Sequence, residues 1–279
     1  MSQKRSLPPP YRQKKKICSS DEKLKRKTVH NGHAATGNEA RSAFEHLRSL
    51  FPREKFPAGF PPVVMKHQLY GIIPSRTDAD KMLSTMQELG EIRLFKLGPQ
   101  ETDVAVVLKA DFLAYVEQHS KSTTVGKYHQ SVHLRGFQLL LHRIPPVTFI
   151  AEDFLTRVVS TSTQMSYSKD YLVREQGFQE AQISELVQHG LLALRDVGCW
   201  WLGLPGVGPF VKVLLHGRKA MLQTLRRCKY RELLRSDLEA RKLPRSAKLG
   251  MSYHIYDAIG ADLIKCVKTT SGDLLRIRE

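Results

Sequence analysis

Twelve lysine and arginine side chains fall between Gly206 and Gly250: Lys212, Arg218, Lys219, Arg226, Arg227, Lys229, Arg231, Arg235, Arg241, Lys242, Arg245 and Lys248. Only Glu232, Asp237 and Glu239 oppose them, so these 45 residues carry a net charge of +9. Ammonium and guanidinium groups at this density neutralise a polyanion and release its counterions. The first thirty residues hold ten cations and two acids, a further +8. The two stretches account for the whole formal charge of +17, and the rest of the chain sums to zero. A solvated helix face also carries charge, but it usually mixes signs, because like charges at helical spacing repel.

The spacing of the cations adds order to their number. Lys212, Lys219 and Arg226 recur every seven residues, a stripe that drifts only about 20° per step on an α-helix. Arg227, Arg231 and Arg235 recur every four and predict a second helical stripe. Met221, Leu225 and Cys228, then Leu233, Leu234 and Leu238, supply the apolar side that seats such helices on a core. With the cations beside these stripes, the candidate contacts for a polyanion are Lys212, Arg218, Lys219, Arg226, Arg227, Lys229, Arg231, Arg241 and Lys242.

The composition narrows the remaining classes. At 279 residues and 41% hydrophobic content the chain holds enough apolar side chains for two or three cores. No apolar run reaches the roughly 18 residues that span a bilayer. The four cysteines (Cys18, Cys199, Cys228, Cys266) lie far apart, as expected of reduced thiols in cytosol or nucleus. A membrane surface is a poorer partner than nucleic acid, because the basic helices lack a Trp/Phe-rich apolar face.

Residues 1–40 predict a disordered tail, with Pro8-Pro9-Pro10 and almost nothing to bury. Within it Lys14, Lys15 and Lys16, then Lys23, Lys25, Arg26 and Lys27, have the form of a bipartite nuclear-import signal or a nucleic-acid arm. From Arg41 onward a pattern begins that repeats. Ala43–Phe51 and Lys66–Ile73 predict helices, and Pro61–Val64 an extended stretch. Thr77 is placed as N-cap of a third helix with Met82, Leu83, Met86 and Leu89 inward and Gly90 as its stop. Ile92–Leu97 and Val104–Leu108 then form a hairpin. A helix ended by a glycine and followed by a hairpin returns twice. Phe178–His189 stops at Gly190 before Leu191–Leu194 and Cys199–Leu204, and Tyr253–Ile259 stops at Gly260 before Leu263–Lys268 and Leu274–Ile277. The expected fold is mainly α with small β-hairpins (α+β). It comprises three independent tandem winged-helix modules at 41–122, 127–205 and 206–279, behind the basic tail of residues 1–40.

The segments Gly198-Cys199-Trp200-Trp201-Leu202, Pro205-Gly206-Val207-Gly208 and Lys229-Tyr230-Arg231-Glu232-Leu233-Leu234 resemble the family catalogued as serine/threonine-protein kinase 19. The resemblance continues through Tyr253-His254, Ile259-Gly260-Ala261 and Thr269-Thr270-Ser271-Gly272 and covers residues 44–279. It implies tandem winged helices, nuclear DNA binding and a place in transcription-coupled nucleotide excision repair. The partners it implies are stalled RNA polymerase II, the Cockayne-syndrome ubiquitin ligase and the TFIIH helicase. The positions that match the family's DNA-contacting residues are Lys212, Arg226, Lys229 and Arg241.

Kinase chemistry is not legible in the residues themselves. Gly206-Val207-Gly208 lacks the third glycine of a phosphate loop, since Val211 holds that place, and no HRD or DFG tripeptide occurs. His129 and His133 share a helical spacing, yet no further ligand completes a zinc set, and no cofactor is expected. Trp200, in phase with Leu202 and Leu204, is expected in the core, and Trp201 between modules. The helix Tyr253–Ile259 offers His254 and Asp257 but no Arg, Asn or Gln to read base edges. The expectation is a nuclear, non-enzymatic protein, monomer or homodimer, that binds double-stranded DNA, with RNA also open. The alternative is a protein–protein scaffold whose basic face meets an acidic partner or RNA, and a protein kinase stands third.

Overall fold

The computed structural model describes residues 34–100, 102–128 and 147–278. The two basic clusters of the tail, Pro8–Pro10 and the His129/His133 pair lie outside them. The first segment runs α1 (Ala34–Ser49), β1 (Val64–Met65), α2 (Lys66–Leu69), α3 (Arg76–Glu88), β2 (Ile92–Lys96) and β3 (Val104–Leu108). The second follows with α4 (Lys109–Tyr128), α5 (Val147–Phe154), β4 (Ser166–Ser168), α6 (Glu180–Gln188), β5 (Leu192–Asp196) and β6 (Cys199–Leu202). The third holds α7 (Val207–Arg226), β7 (Glu232–Leu234), α8 (Arg235–Glu239), α9 (Met251–Gly260), β8 (Ile264–Thr269) and β9 (Gly272–Ile277). The architecture is mixed helix and small antiparallel sheet.

Each segment builds one three-stranded sheet by the same rule. The hairpin expected from its two apolar runs forms, and an earlier short strand pairs with the hairpin's second strand. This produces the orders β1-β3-β2, β4-β6-β5 and β7-β9-β8. The registers Val64↔Val106, Tyr167↔Trp200 and Leu233↔Leu275 fix the added strands. These strands have two or three residues, too few to display an alternating pattern. Leu233 and Leu234, expected on a helix, lie in β7 for this reason.

Several boundaries differ from the sequence reading. α1 begins at Ala34, inside the stretch expected to be disordered, and its Ala40 is buried beside Phe44 and Leu47. Ser75, not Thr77, caps α3: its hydroxyl accepts from the Asp78 amide at 3.2 Å. Gly90 and Gly190 do adopt positive φ (70° and 74°) just beyond their helices. Gly260 does not. It is the last residue of α9, and the left-handed position falls to Asp262 at φ 58°.

What Gly260 provides is contact. A Cβ there would sit 1.8 Å from the His67 carbonyl oxygen, so only glycine lets α9 lie against α2 this closely. The modules are not independent in packing either. One apolar cluster joins Phe51, Phe60 and Phe112 to Phe154 and Leu202, and both to Phe210, Leu214 and Tyr253. Within it Phe51, Phe56 and Phe60 stack on one another and Phe210 packs against all three at a tilt, with ring centroids 4.7 to 6.4 Å apart. Trp200 packs half-buried on this cluster. Trp201 carries the Arg195 guanidinium 4.6 Å over its ring. Arg93, on β2, is buried and donates to the Val159 carbonyl, a tie between the first and second segments.

Substituting Gly260→Ala forces a methyl group into a backbone carbonyl that cannot swing aside. The expected cost is about 3 kcal/mol, read as a lower denaturation midpoint with an unchanged m-value. Gly177→Ala, where the added Cβ meets nothing within 4 Å but φ is +74°, is the comparison and isolates the cost of backbone strain alone.

Candidate nucleic-acid interface

α7 positions four of the nine candidate cations, Lys212, Arg218, Lys219 and Arg226. Its twenty residues include an inward face of Phe210, Leu214, Gly217, Met221 and Leu225, all buried. These recur at three- and four-residue steps and seat the helix against α9 and the shared core. The opposite face falls to Lys212, Lys219 and Arg226, all exposed. Fourteen residues separate the first from the last, a cationic track of about 21 Å at the α-helical rise. Arg226 and Arg227 close the helix, where the partial negative charge of its terminal carbonyls offsets the repulsion between neighbouring cations.

The second expected stripe does not exist as a helix face. α7 ends at Arg226, Arg227 is its C-cap, and Lys229–Arg231 form a short 3-10 turn with left-handed residues. Arg235 opens α8, bonds Glu239 at 3.0 Å and lies 4.8 Å from the Tyr256 ring. The four-residue period was real, but Cys228 leaves the helix and takes the chain into a strand. Arg227, Lys229 and Arg231 are nevertheless all exposed, as are Arg241, Lys242 and Arg245 in the loop after α8. Among the described residues, no ion pair occupies Lys212, Lys219, Arg226, Arg227, Lys229, Arg241 or Lys242.

Arg218 is the exception among the expected DNA-facing cations. Its guanidinium turns inward and donates from Nε and Nη2 to Asp257 at 2.6 and 2.7 Å. Burial opposes the charge, and the Asp257 carboxylate more than compensates, holding the guanidinium pKa above its usual value. Asp257 is 0% exposed and takes a further contact from His67 Nε2 at 2.8 Å. Despite burial its carboxyl is held below the ordinary carboxylate range by His67 and Arg218. His67 Nδ1 faces the Thr102 carbonyl at 3.2 Å, so both ring nitrogens meet acceptors. Gln68 Nε2 donates to the Tyr253 carbonyl at 3.0 Å, and the Tyr253 hydroxyl donates to the Val63 carbonyl at 2.9 Å.

This network fixes α9 between α2 and α7. Met251, Tyr253, His254, Ile255, Asp257, Ala258 and Gly260 are all buried, leaving a half-buried face of Ser252, Tyr256 and Ile259 that carries no charged side chain. His254 and Asp257, the polar groups that helix offered for base reading, are internal. Neither ring nitrogen of His254 has a hydrogen-bonding partner, and a Cβ on Gly217 would lie 1.9 Å from its Nε2. Burial pushes the His254 pKa down to about 4, the Arg218 charge adding to the effect and Asp257 opposing it. Of these internal polar residues the sequence analysis named Arg218, His254 and Asp257, though on the surface; nothing marked His67 or Gln68 as their neighbours.

Among the described residues, no helix is long and apolar enough to cross a membrane, and no group of three His, Cys, Asp or Glu side chains forms a metal cluster. Gly206, with φ 69°, is the N-cap of α7 and Gly208 lies in its first turn, so the Gly-x-Gly pair opens a helix and caps no strand hairpin.

A fold of small helix-and-hairpin segments with an exposed cationic helix is the class these observations define. The profile of the family described as "Inactive serine-threonine protein kinase 19" matches residues 50–277, and the chain belongs to that family. It is 37% identical over 238 residues to the Mus musculus protein named "Winged helix repair factor 1", covering 85% of each chain. The Homo sapiens protein of that name is 36% identical over 240 residues, covering 86% of each. The Xenopus laevis one is 36% identical over 266 residues, covering 94% of this chain and 92% of its own.

Two outcomes follow from the buried network. Asp257→Ala strands the Arg218 guanidinium without a counter-charge and is expected to cost about 3–5 kcal/mol. Pairing Asp257→Leu with Arg218→Met removes both charges and recovers part of that loss, which a double-mutant cycle measures. The second concerns pH. His254 in the unfolded chain takes up a proton below its ordinary value of 6.5, whereas in the fold it stays neutral down to about pH 4. Its contribution is therefore complete above pH 6.5 and lost as pH falls toward 4, about 3 kcal/mol in all. The depressed Asp257 carboxyl holds its contribution through that window and loses it only below the ordinary carboxylate range. Denaturant melts at pH 7 and 4.5 read the loss, and His254→Leu flattens it.

Proposed function

We propose that the chain is a non-enzymatic DNA-repair factor that binds double-stranded DNA largely without regard to sequence. It is built of three tandem winged helices at 41–122, 127–205 and 206–279. One observation carries the reading: among the described residues Lys212, Lys219, Arg226, Arg227, Lys229, Arg241 and Lys242 are exposed on α7 and the loops after α7 and α8 with no ion pair to occupy them, while His254 and Asp257 of α9 are internal. Phosphate neutralisation supplies affinity, and phosphates carry no base information. The working set is Lys212, Lys219, Arg226, Arg227, Lys229, Arg231, Arg241 and Lys242. Arg218 leaves it, being committed to Asp257.

Each sheet, with its early short strand added to a hairpin, has the connectivity of a winged helix, and the relatives' printed name agrees with that reading. The clusters at Lys14–Lys16 and Lys23–Lys27 direct the protein to the nucleus. The charge-neutral first two segments suit protein docking. The family resemblance, not the charge, makes stalled RNA polymerase II, the Cockayne-syndrome ubiquitin ligase and TFIIH the partners of this reading, in transcription-coupled nucleotide excision repair. The absence of a complete nucleotide-binding motif in the sequence and the helical setting of Gly206 and Gly208 support the non-enzymatic reading.

The test is charge reversal against a surface control. Arg226→Glu with Arg241→Glu removes two phosphate contacts and is expected to lower the slope of log K against log salt by about 1.8 on duplex DNA. The loss is equal for unrelated duplex sequences. The control is Lys81→Glu with Arg174→Glu, two exposed cations on the other segments; buried Arg93 cannot serve. Equal weakening by the control pair at equal thermal stability removes the third segment as the principal DNA site. Retained affinity for duplex DNA alongside lost affinity for an acidic protein or RNA favours the scaffold reading.

A further inference from the structure

The turn joining α7 to β7 places two consecutive residues in the left-handed region, Tyr230 (φ 61°, ψ 12°) and Arg231 (φ 54°). Asp262 is the one other non-glycine residue so placed among the described residues. A Cβ disfavours this conformation, more so for a bulky aromatic than for the Asn or Asp that usually adopt it. The turn is closed by the Arg231 amide donating to the Cys228 carbonyl at 3.0 Å.

The Tyr230 ring gains no packing from this backbone. It is 74% exposed, belongs to none of the apolar clusters, and is the one exposed tyrosine among the described side chains. The surroundings are cationic: Arg226, Arg227, Lys229 and Arg231 lie within four residues of it. The Lys229 ammonium stands 5.1 Å from the ring centroid, which leaves the rest of the ring surface open. Phosphate contact requires no aromatic group. A flat ring held out among phosphate-binding side chains matches the paired demands of an unstacked nucleotide, charge for its backbone and a π-face for its base.

We propose that Tyr230 is a stacking platform for an unpaired nucleobase, so that the basic end of α7 prefers DNA with a locally opened strand to continuous duplex. In continuous duplex both faces of each internal base are already covered by neighbouring bases, whereas a bubble leaves faces free. The proposal rests on the phosphate-binding reading above, with the cations holding the strand and the ring taking the base.

The test uses the full chain and two DNA duplexes of one sequence, the first continuous and the second carrying a central unpaired bubble. Binding is followed by fluorescence anisotropy and by a 2-aminopurine placed in the bubble. Tyr230→Ala is expected to weaken bubble binding about tenfold, ~1.4 kcal/mol, while leaving continuous-duplex affinity and its salt slope unchanged. Tyr230→Trp and Tyr230→Phe retain bubble affinity, and wild type quenches the 2-aminopurine where Tyr230→Ala does not. Tyr230→Gly relieves the positive φ, so it melts at or above the wild-type temperature yet behaves as Tyr230→Ala on the bubble. That separates a lost ring from a damaged turn. Equal weakening on both DNAs, or weakening on neither, overturns the proposal. Wild-type protein that binds neither DNA overturns the phosphate-binding reading first and this proposal with it.

Discussion

The buried polar cluster of Arg218, Asp257 and His67 is the constraint on which the rest of the arrangement turns. Asp257 is fully enclosed, so its charge persists only because a bidentate guanidinium and an imidazole meet it at 2.6 to 2.8 Å. Three distant parts of the chain supply these groups: α2, α7 and α9. A buried pair of this kind adds little net stability over a well-packed apolar core, but it is costly to mispair. It therefore acts as a register device, selecting the one docking of α2, α7 and α9 in which all three groups meet. The glycines agree with it. Gly260 admits the His67 backbone, and Gly217 admits the His254 ring, where any Cβ would collide.

That docking decides which surface is left for partners. With His254 and Asp257 of α9 enclosed, that helix has no charged or imidazole side chain free to face a DNA groove. The outer surface of the third segment is the Lys212–Lys219–Arg226 face of α7, the turn behind it and the loop after α8. A cationic face on a helix anchored by Phe210, Leu214, Met221 and Leu225 is rigid in its spacing. It therefore suits a repeating polyanion better than a single acidic pocket. The same logic explains why Arg218, one residue from Lys219, does different work: it lies on the flank of the helix that turns toward α9.

The apolar cluster through Phe51, Phe60, Phe154, Phe210 and Tyr253 couples all three segments. Arg93 reaches from β2 to the Val159 carbonyl and adds a polar tie between the first two. The protein consequently presents its neutral surfaces and its basic surface as parts of one body.

The sequence by itself determined the local elements and the charge. Apolar runs separated by turn residues placed all three hairpins to within a residue or two, and Gly90 and Gly190 ended their helices as their freedom at positive φ dictates. The seven-residue recurrence on α7 held because a single helix spans Lys212 to Arg226. Such features depend on neighbours in the chain, and a linear pattern can record them. Only the tertiary structure decided the rest. It split the Arg227–Arg231–Arg235 recurrence between a cap, a strained turn and a new helix, and it withdrew Arg218 from the surface. It added the two- and three-residue strands β1, β4 and β7, and it made Gly260 a contact instead of a stop. In each case the deciding partner lies far along the chain: Asp257 for Arg218, β9 for β7, the His67 carbonyl for Gly260. Charge, burial and pairing across such distances leave no period in the sequence, because they are properties of the surfaces that meet.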